Sequence, residues 1–314
     1  MIVNIHSHLI HKNMWSEYFW DQNATIFSKA MNIPKEVLMK TLMPKIVDAN
    51  AGKFVKALDE AGIDIGVVNG TDWGMSAAGE PKWSIEELNK WVFEQVSEYP
   101  DKLKALFAVD PRRGKLAIEL VEKAVNEWDM KGVKFHPTAG YYPDDPAFFP
   151  FYEKCVELGV VLFSHTSLFS VPLMEGKFAD PVYLDSVAAK FPDLKIVMLH
   201  FGGLSWVSKC IEIMNARPNV YAEISGWQSR INFETDSFLK LLENVFKSSG
   251  LLGPLKDRIM FGTDWPLMET AMSDKSWLDW IKSIPEKGET LGLKFKRSDI
   301  KKLLGLNAKK LLNL

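Results

Sequence analysis

The chain opens Met1-Ile2-Val3-Asn4-Ile5-His6-Ser7-His8, a β-branched run that ends on two histidines one residue apart. A strand alternates its side chains between two faces, so His6 and His8 project to the same side. Working outward, seven further short apolar or β-branched runs follow, at 63–69, 105–110, 132–136, 160–165, 195–200, 220–225 and 259–264. With 2–6 they make eight, and most lead into a longer segment with helical spacing. Ser84 and Glu87 form a capping box at the head of one helix, which carries Leu88, Val92 and Val96 on one face and ends by Pro100. A second begins near residue 147, turns Phe148, Phe151, Tyr152, Cys155 and Val156 toward the sheet, and stops at Gly159. Eight strands in βα alternation, mostly continuous apolar runs of the kind buried on both faces, predict a closed parallel (β/α)8 TIM barrel. An open doubly wound sheet is the competing arrangement. No Gly-x-Gly-x-x-Gly follows any strand, which removes the dinucleotide-binding form of that competitor.

The composition suits one large soluble domain spanning 1–314: 47% hydrophobic and 25% charged residues, with no repeat, low-complexity tract or linker. A formal charge of −2 and a pI near 6.3 give no electrostatic footprint for nucleic acid or an anionic membrane, so the expected partner is a small molecule. Assembly into a homo-oligomer stays open. Cys155 and Cys210 form neither a CxxC pair nor a disulfide framework, which fits two buried thiols in a reducing cytosol. The N-terminal run lacks the pattern of a secretory signal, and no segment reaches the ~20 apolar residues that span a bilayer. The expected location is the cytoplasm. Two segments exceed a simple βα unit, 9–50 and 266–297. The first holds Trp15, Tyr18, Phe19, Trp20, Phe27, Met31 and Met39 and reads as a helical insertion over the active-site face, with extra core packing as the equal alternative.

Five of the six histidines stand at predicted strand ends: His6, His8, His136, His165 and His200. In a barrel these C-terminal ends open onto one face, so residues distant in sequence become neighbours there. Asp264 joins them in Met260-Phe-Gly-Thr-Asp264-Trp-Pro. Imidazole and carboxylate donors suit Zn²⁺ and its first-row neighbours, and a catalytic site leaves one position open. A lone His-x-His is weak evidence, but with His165, His200 and Asp264 it points to a metal. His11, in the insertion, reads as an ordinary loop histidine.

In the order Ile5-His6-Ser-His8, Gly132-Val-Lys134-Phe-His136-Pro, Phe163-Ser-His165-Thr, Leu199-His200-Phe-Gly-Gly203, Phe261-Gly-Thr-Asp264-Trp-Pro and a C-terminal Asn307-Ala308 helix, the chain resembles the amidohydrolase superfamily. The resemblance is to its amidohydrolase-related branch, which includes aminocarboxymuconate-semialdehyde decarboxylase, and it spans nearly the whole length. It implies His6, His8, His165 and Asp264 as ligands of one divalent metal, Zn²⁺ first and Mn²⁺ second. It also implies catalytic roles for His200, which would polarise the substrate or manage protons, and for Asp264 as proton shuttle. Many relatives carry Asp where this chain has Asn4, which keeps a hydrogen-bonding side chain and loses the charge. Some members bridge two metals with a carboxylated lysine on strand four, the position of Lys134. Lys134 lies two residues, about 6 to 7 Å, deeper than His136, so the one-metal arrangement is favoured over the binuclear one.

For substrate binding the candidates are His136, facing the pocket; Trp73, as a pocket wall beside Asp72; and Arg113, with Arg112 as its neighbour, holding a carboxylate in a bidentate pair. Surface solvation is the ordinary alternative for both arginines. Tyr141 and Tyr142 can cover a ligand, and Glu223 reads as a buried acid supporting the site rather than a reactive one. Two reactions use these residues. The first is metal-dependent hydrolysis of an amide, ester or lactone. The alternative is non-oxidative decarboxylation, or hydration, of an unsaturated or aromatic carboxylic acid. A third reading, a non-catalytic barrel that only binds metal, requires a coordinatively closed site.

Overall fold

In the computed structural model, which describes residues 1–41, 43–250 and 253–314, eight parallel strands follow one another around a barrel. They are β1 (Val3–His8), β2 (Ile65–Asn69), β3 (Leu103–Ala108), β4 (Gly132–Phe135), β5 (Val161–His165), β6 (Ile196–Leu199), β7 (Val220–Glu223) and β8 (Ile259–Met260). Each pairs with the next in parallel register. The chain beyond β8 closes the ring: Ile5 N donates to Phe261 O (3.1 Å), Asp264 N to His6 O (2.8 Å) and His8 N to Trp265 O (2.7 Å). Helices lie between successive strands, among them Ala51–Ala61, Ile85–Ser97, Lys115–Asn126, Phe149–Glu157, Val182–Lys190, Gly203–Ala216 and Ile231–Lys247. The capping box read from Ser84 and Glu87 is present at the head of Ile85–Ser97, where Glu87 N donates to Ser84 Oγ (3.2 Å) and Ser84 N to Glu87 Oε2 (2.8 Å).

The register shows one irregularity that matters for function. Between Asn4 and Ser7 the first strand takes three steps while β2 takes two, from Gly66 to Val68. This is a bulge, which shifts the alternation of side chains by one. Val3 and Ile5, before it, pack inside the barrel with Val67, Leu106, Phe163, Val197, Leu199 and Met260. His6 and His8, after it, also face inward, toward Glu223 and Asp264. Plain alternation would have put Asn4 on the same face as the two histidines. Instead its side chain lies in the β1–β8 seam, donating to Ser7 Oγ (2.9 Å) and Thr263 Oγ1 (2.7 Å) and accepting from Thr263 N (3.1 Å) and His6 N (3.2 Å).

The interior is thus apolar at its N-terminal end, where Ala308, Leu311 and Leu312 of the helix Asn307–Leu312 plug it, and polar above. A larger apolar shell fills the space between strands and helices. The segment after β1 contains the helices Glu17–Met31, Lys35–Thr41 and Met43–Val47, and a two-residue bridge pairs Ile10–His11 with Asp48–Ala49. After β8 come the helices Asp274–Lys282, Ile284–Glu289 and Arg297–Lys301. Among the described residues no helix is long and apolar enough to cross a membrane. Both cysteines are buried thiols.

Candidate metal centre and active site

The polar upper layer of the barrel is built from strand ends. His6 and His8 come from β1, Lys134 from β4, His165 from β5 and Glu223 from β7, while His136, His200, Ser225 and Asp264 follow just after their strands. His200 and Asp264 adopt left-handed backbone, with φ of 66° and 56°, which only a few per cent of non-glycine residues do. Both are turned out of the strand alternation at the point where they meet the other donors.

Two donor groups share His6. In the first, His6, His8 and Asp264 offer ligand atoms all within 4.8 Å of one another. Asp264 Oδ1 lies 3.1 Å from His8 Nε2 and 3.7 Å from His6 Nε2. Buried as it is, this oxygen has no aligned hydrogen-bond donor among the described residues. A buried carboxylate oxygen without a donor, facing two imidazole nitrogens, is what a divalent cation requires, so these residues fit a metal ion.

In the second group, His6, His200 and Glu223, a hydroxyl occupies the middle. Ser225 Oγ is 3.0 Å from His6 Nδ1, 3.1 Å from His200 Nδ1 and 2.9 Å from Glu223 Oε2. Glu223 Oε2 also lies 3.2 Å from His6 Nδ1, and the Ser225 backbone N–H donates to its other oxygen. Holding His6 through Nδ1 leaves Nε2 for the metal side. Glycine at 262 makes room for this carboxyl, since a Cβ there would stand 2.2 Å from Glu223 Oε1.

Burial governs the protonation of the layer. It pushes Glu223 up to about 8 against its Ser225 and His200 hydrogen bonds, and pulls Lys134 down to about 7 against the attraction of Asp264 and Glu223. The same desolvation drives His6, His136 and His165 well below the usual imidazole value and His200 to about 4. Asp264 goes the other way. Despite burial, the close approach of His8 and the electrostatic influence of His200 and Lys134 hold it below the ordinary aspartate value. The layer therefore favours neutral imidazoles around an ionised Asp264, the state in which both kinds of group ligate.

The remaining sequence candidates divide by position. His165 joins the layer through Nδ1, 3.0 Å from His200 Nε2, while its Nε2 faces the carbonyls of Ser167 (3.0 Å) and Phe169 (3.1 Å). His136 stacks on His165 (ring centroids 4.4 Å apart), and its Nδ1 meets Thr138 Oγ1 at 2.6 Å. Trp73 stands edge-on to His136 (5.1 Å) and stacks on Trp15 of the segment after β1 (4.5 Å), which links that segment to the donor layer. Lys134, though deeper in the barrel, extends its Nζ to 3.1 Å from His6 Nε2.

The arginines stand apart from the donors. Arg113 bonds Asp72 through Nε (2.6 Å) and a terminal nitrogen (2.8 Å), and both oxygens of Glu80 at 3.0 Å. Arg112 is bound by Asp110 and by the Ala139 and Gly140 carbonyls. With Tyr141, Tyr142, Phe148 and Phe178 it lines a cleft of about 460 Å³ that includes none of the donor residues. His11 accepts from Asn13 N and stacks on Trp83. Ser225 escaped the sequence reading, although it lies two residues beyond Glu223 and period-2 spacing would have put both on one face.

The chain belongs to the amidohydrolase family, whose profile matches residues 6–314. It is 24% identical over 220 residues to the 2-amino-3-carboxymuconate-6-semialdehyde decarboxylase of Dictyostelium discoideum, covering 63% of this chain and about three fifths (61%) of that protein. It is 21% identical over 255 residues to the gamma-resorcylate decarboxylase of Polaromonas sp., covering 68% and 76% of the two chains. Among solved structures it is similar to a dihydroxybenzoic acid decarboxylase from Polaromonas sp. with bound manganese and the inhibitor 2-nitroresorcinol, at a TM-score of 0.65 and 20% identity over 100% and 97% of the chains. Of the two reactions weighed from sequence, these relatives favour decarboxylation over hydrolysis.

Proposed function

We propose that the protein is a metal-dependent decarboxylase of a small aromatic or unsaturated carboxylic acid, acting as one barrel domain over residues 1–314. The observation that carries this reading is the family's donor layer, with Asp264 Oδ1 lacking a hydrogen bond between two imidazoles, in a chain whose curated relatives are decarboxylases. His6, His8 and Asp264, with His165 as the fourth donor, would hold a divalent ion, Zn²⁺ or Mn²⁺. Bound there, it would supply positive charge to orient and polarise the acid. The chain's own groups do the rest. Glu223 and Ser225 keep His6 turned with Nε2 toward Asp264. The wall of Trp15, Trp73 and His136 receives a planar substrate and keeps water from it. His200 and Asp264 handle the proton: the ring carbon gains a proton, its bond to the carboxylate carbon breaks, and CO₂ leaves with no net redox change. Arg113 enters this reading through Asp72 and Glu80, as an anchor for the Trp73 loop, in place of direct contact with the carboxylate.

The test is metal analysis of the purified protein, followed by assays of metal-stripped and Zn²⁺- or Mn²⁺-reloaded enzyme. The panel combines 2,6-dihydroxybenzoate, 5-carboxyvanillate and unsaturated acids with lactones and amides. CO₂ release that depends on metal is expected. Cleavage of lactones or amides without any CO₂ release would return the assignment to hydrolysis.

A further inference from the structure

We infer that Thr166 is a positioning residue for His200: its hydroxyl pins the left-handed stretch of chain that turns His200 into the donor layer. The inference rests on the proposed reading of His200 as a proton-handling group, while the geometry behind it can be tested without any reaction.

Strand alternation alone sends His200 out of the barrel. In β6, Val197 and Leu199 pack in the barrel interior, whereas Ile196 and Met198 belong to the apolar shell between strands and helices. The next residue in that alternation faces outward, with Met198. Yet the His200 ring lies inside the layer, its centroid 4.9 Å from that of His6 and 4.6 Å from that of His165. The reversal is made by four consecutive residues with positive φ: His200 (66°), Phe201 (48°), Gly202 (73°) and Gly203 (55°). They leave Phe201 fully buried in the outer shell and lead into the helix Gly203–Ala216. For His200 and Phe201 this backbone brings Cβ against the carbonyl oxygen that follows. It persists only where neighbouring groups hold it in place.

Thr166, fully buried and directly after His165, does this holding. Its Oγ1 donates to Leu199 O (2.6 Å) and accepts from Gly202 N (3.3 Å), so one hydroxyl joins the residue before the reversal to a residue within it. Only a group with both a proton and lone pairs makes this pair of bonds, and the β-branched side chain restricts χ1 and so fixes the hydroxyl. The backbone of His200 is held from the other side: its N–H donates to Glu223 Oε2 (3.3 Å), and its carbonyl accepts from Trp227 Nε1 (3.1 Å). Residue 202 must be glycine here, because a Cβ would stand 2.8 Å from Cys210 Sγ. Without the Thr166 hydroxyl, the Leu199 carbonyl and the Gly202 N–H lose a buried partner. The reversal then relaxes and carries His200 with it.

The experiment is a double-mutant cycle in the full chain loaded with Mn²⁺. Its members are the wild type, Thr166→Val, His200→Ala and the double variant, with Thr166→Ser as the conservative replacement. For whichever acid of the panel is accepted, Thr166→Val is expected to lower kcat by about 10- to 100-fold, with KM and Mn²⁺ content within about twofold of the wild type. Thr166→Ser should restore most of the rate. In the His200→Ala background, Thr166→Val should change kcat by less than about twofold. Equal slowing in both backgrounds, or a fall in Mn²⁺ content that matches the fall in rate, overturns the positioning role. Hydrogen exchange read by NMR needs no turnover: the Gly202 amide should exchange about tenfold faster in Thr166→Val. Unchanged exchange overturns the inference, whereas a wild type that releases no CO₂ but shows the faster exchange sinks the decarboxylase reading and leaves the staple standing. In the wild type itself, the Thr166 hydroxyl proton should give a cross-peak to the Gly202 amide. Its absence overturns the inference even if Thr166→Val does not fold.

Discussion

Asp264 combines three properties seldom found together in one residue: a left-handed backbone, burial, and a carboxylate oxygen with no aligned donor. Asp264→Asn preserves the shape but places a neutral amide where the cation's charge must be met. Metal content measured by mass spectrometry should fall to below about a tenth of the wild-type value, and full retention would remove Asp264 from the centre. His200→Ala should instead keep the metal and slow turnover by about 10²- to 10⁴-fold, measured as single-turnover CO₂ release. The gathering of five histidines on one face is legible from sequence because a parallel barrel sends every strand end the same way. The orientation of the His165 ring is not, since which nitrogen faces His200 depends on the carbonyls of Ser167 and Phe169, placed by a loop without periodicity.

At the scale of elements, strand existence could be read from apolar runs, and the ends at Asn69 and His165 coincide with the sequence reading, but other strand ends do not. The run at 259–264 forms ladder pairs only at Ile259 and Met260, because the following residues bond to β1 singly and turn at Asp264. The bulge in β1 has no sequence marker either: no glycine stands in Val3–His8, and alternation alone groups Asn4 with the histidines. The Arg113 clamp was hidden for a related reason, since it joins the loop after β2 to the turn after β3. Arg113→Met leaves Asp72 nearly buried without its partner and should destabilise the fold by about 3 kcal/mol, measured by urea denaturation. The freed Trp73 loop should raise the KM about tenfold for any accepted acid with metal content unchanged. Unchanged stability would show that the clamp is dispensable.

For the whole molecule, stability against pH carries a signature from a buried acid that is not itself one of the donors. Asp274 is buried beside Glu269, with one oxygen unpartnered, and burial followed by the Glu269 charge raises its pKa well above the ordinary carboxyl range. The folded state thus binds this proton more tightly than the unfolded chain. The associated stability is complete below the unfolded aspartate value and is lost as pH rises through the folded one. Thermal melting between pH 4 and 9 should show this decline in the wild type and a flatter profile in Asp274→Asn. A decline of equal slope in the variant would assign it to other groups.

The β1–β8 seam ties Asn4 to Thr263, partners 259 positions apart along the chain. Closing a loop of that length is entropically costly and is repaid only by contacts that form together. The donors sit on this closure, His6 and His8 on one side and Asp264 on the other, so a partly wound barrel cannot hold them all. A bound cation would therefore report on the integrity of the entire ring, and its release should coincide with global unfolding as one cooperative event.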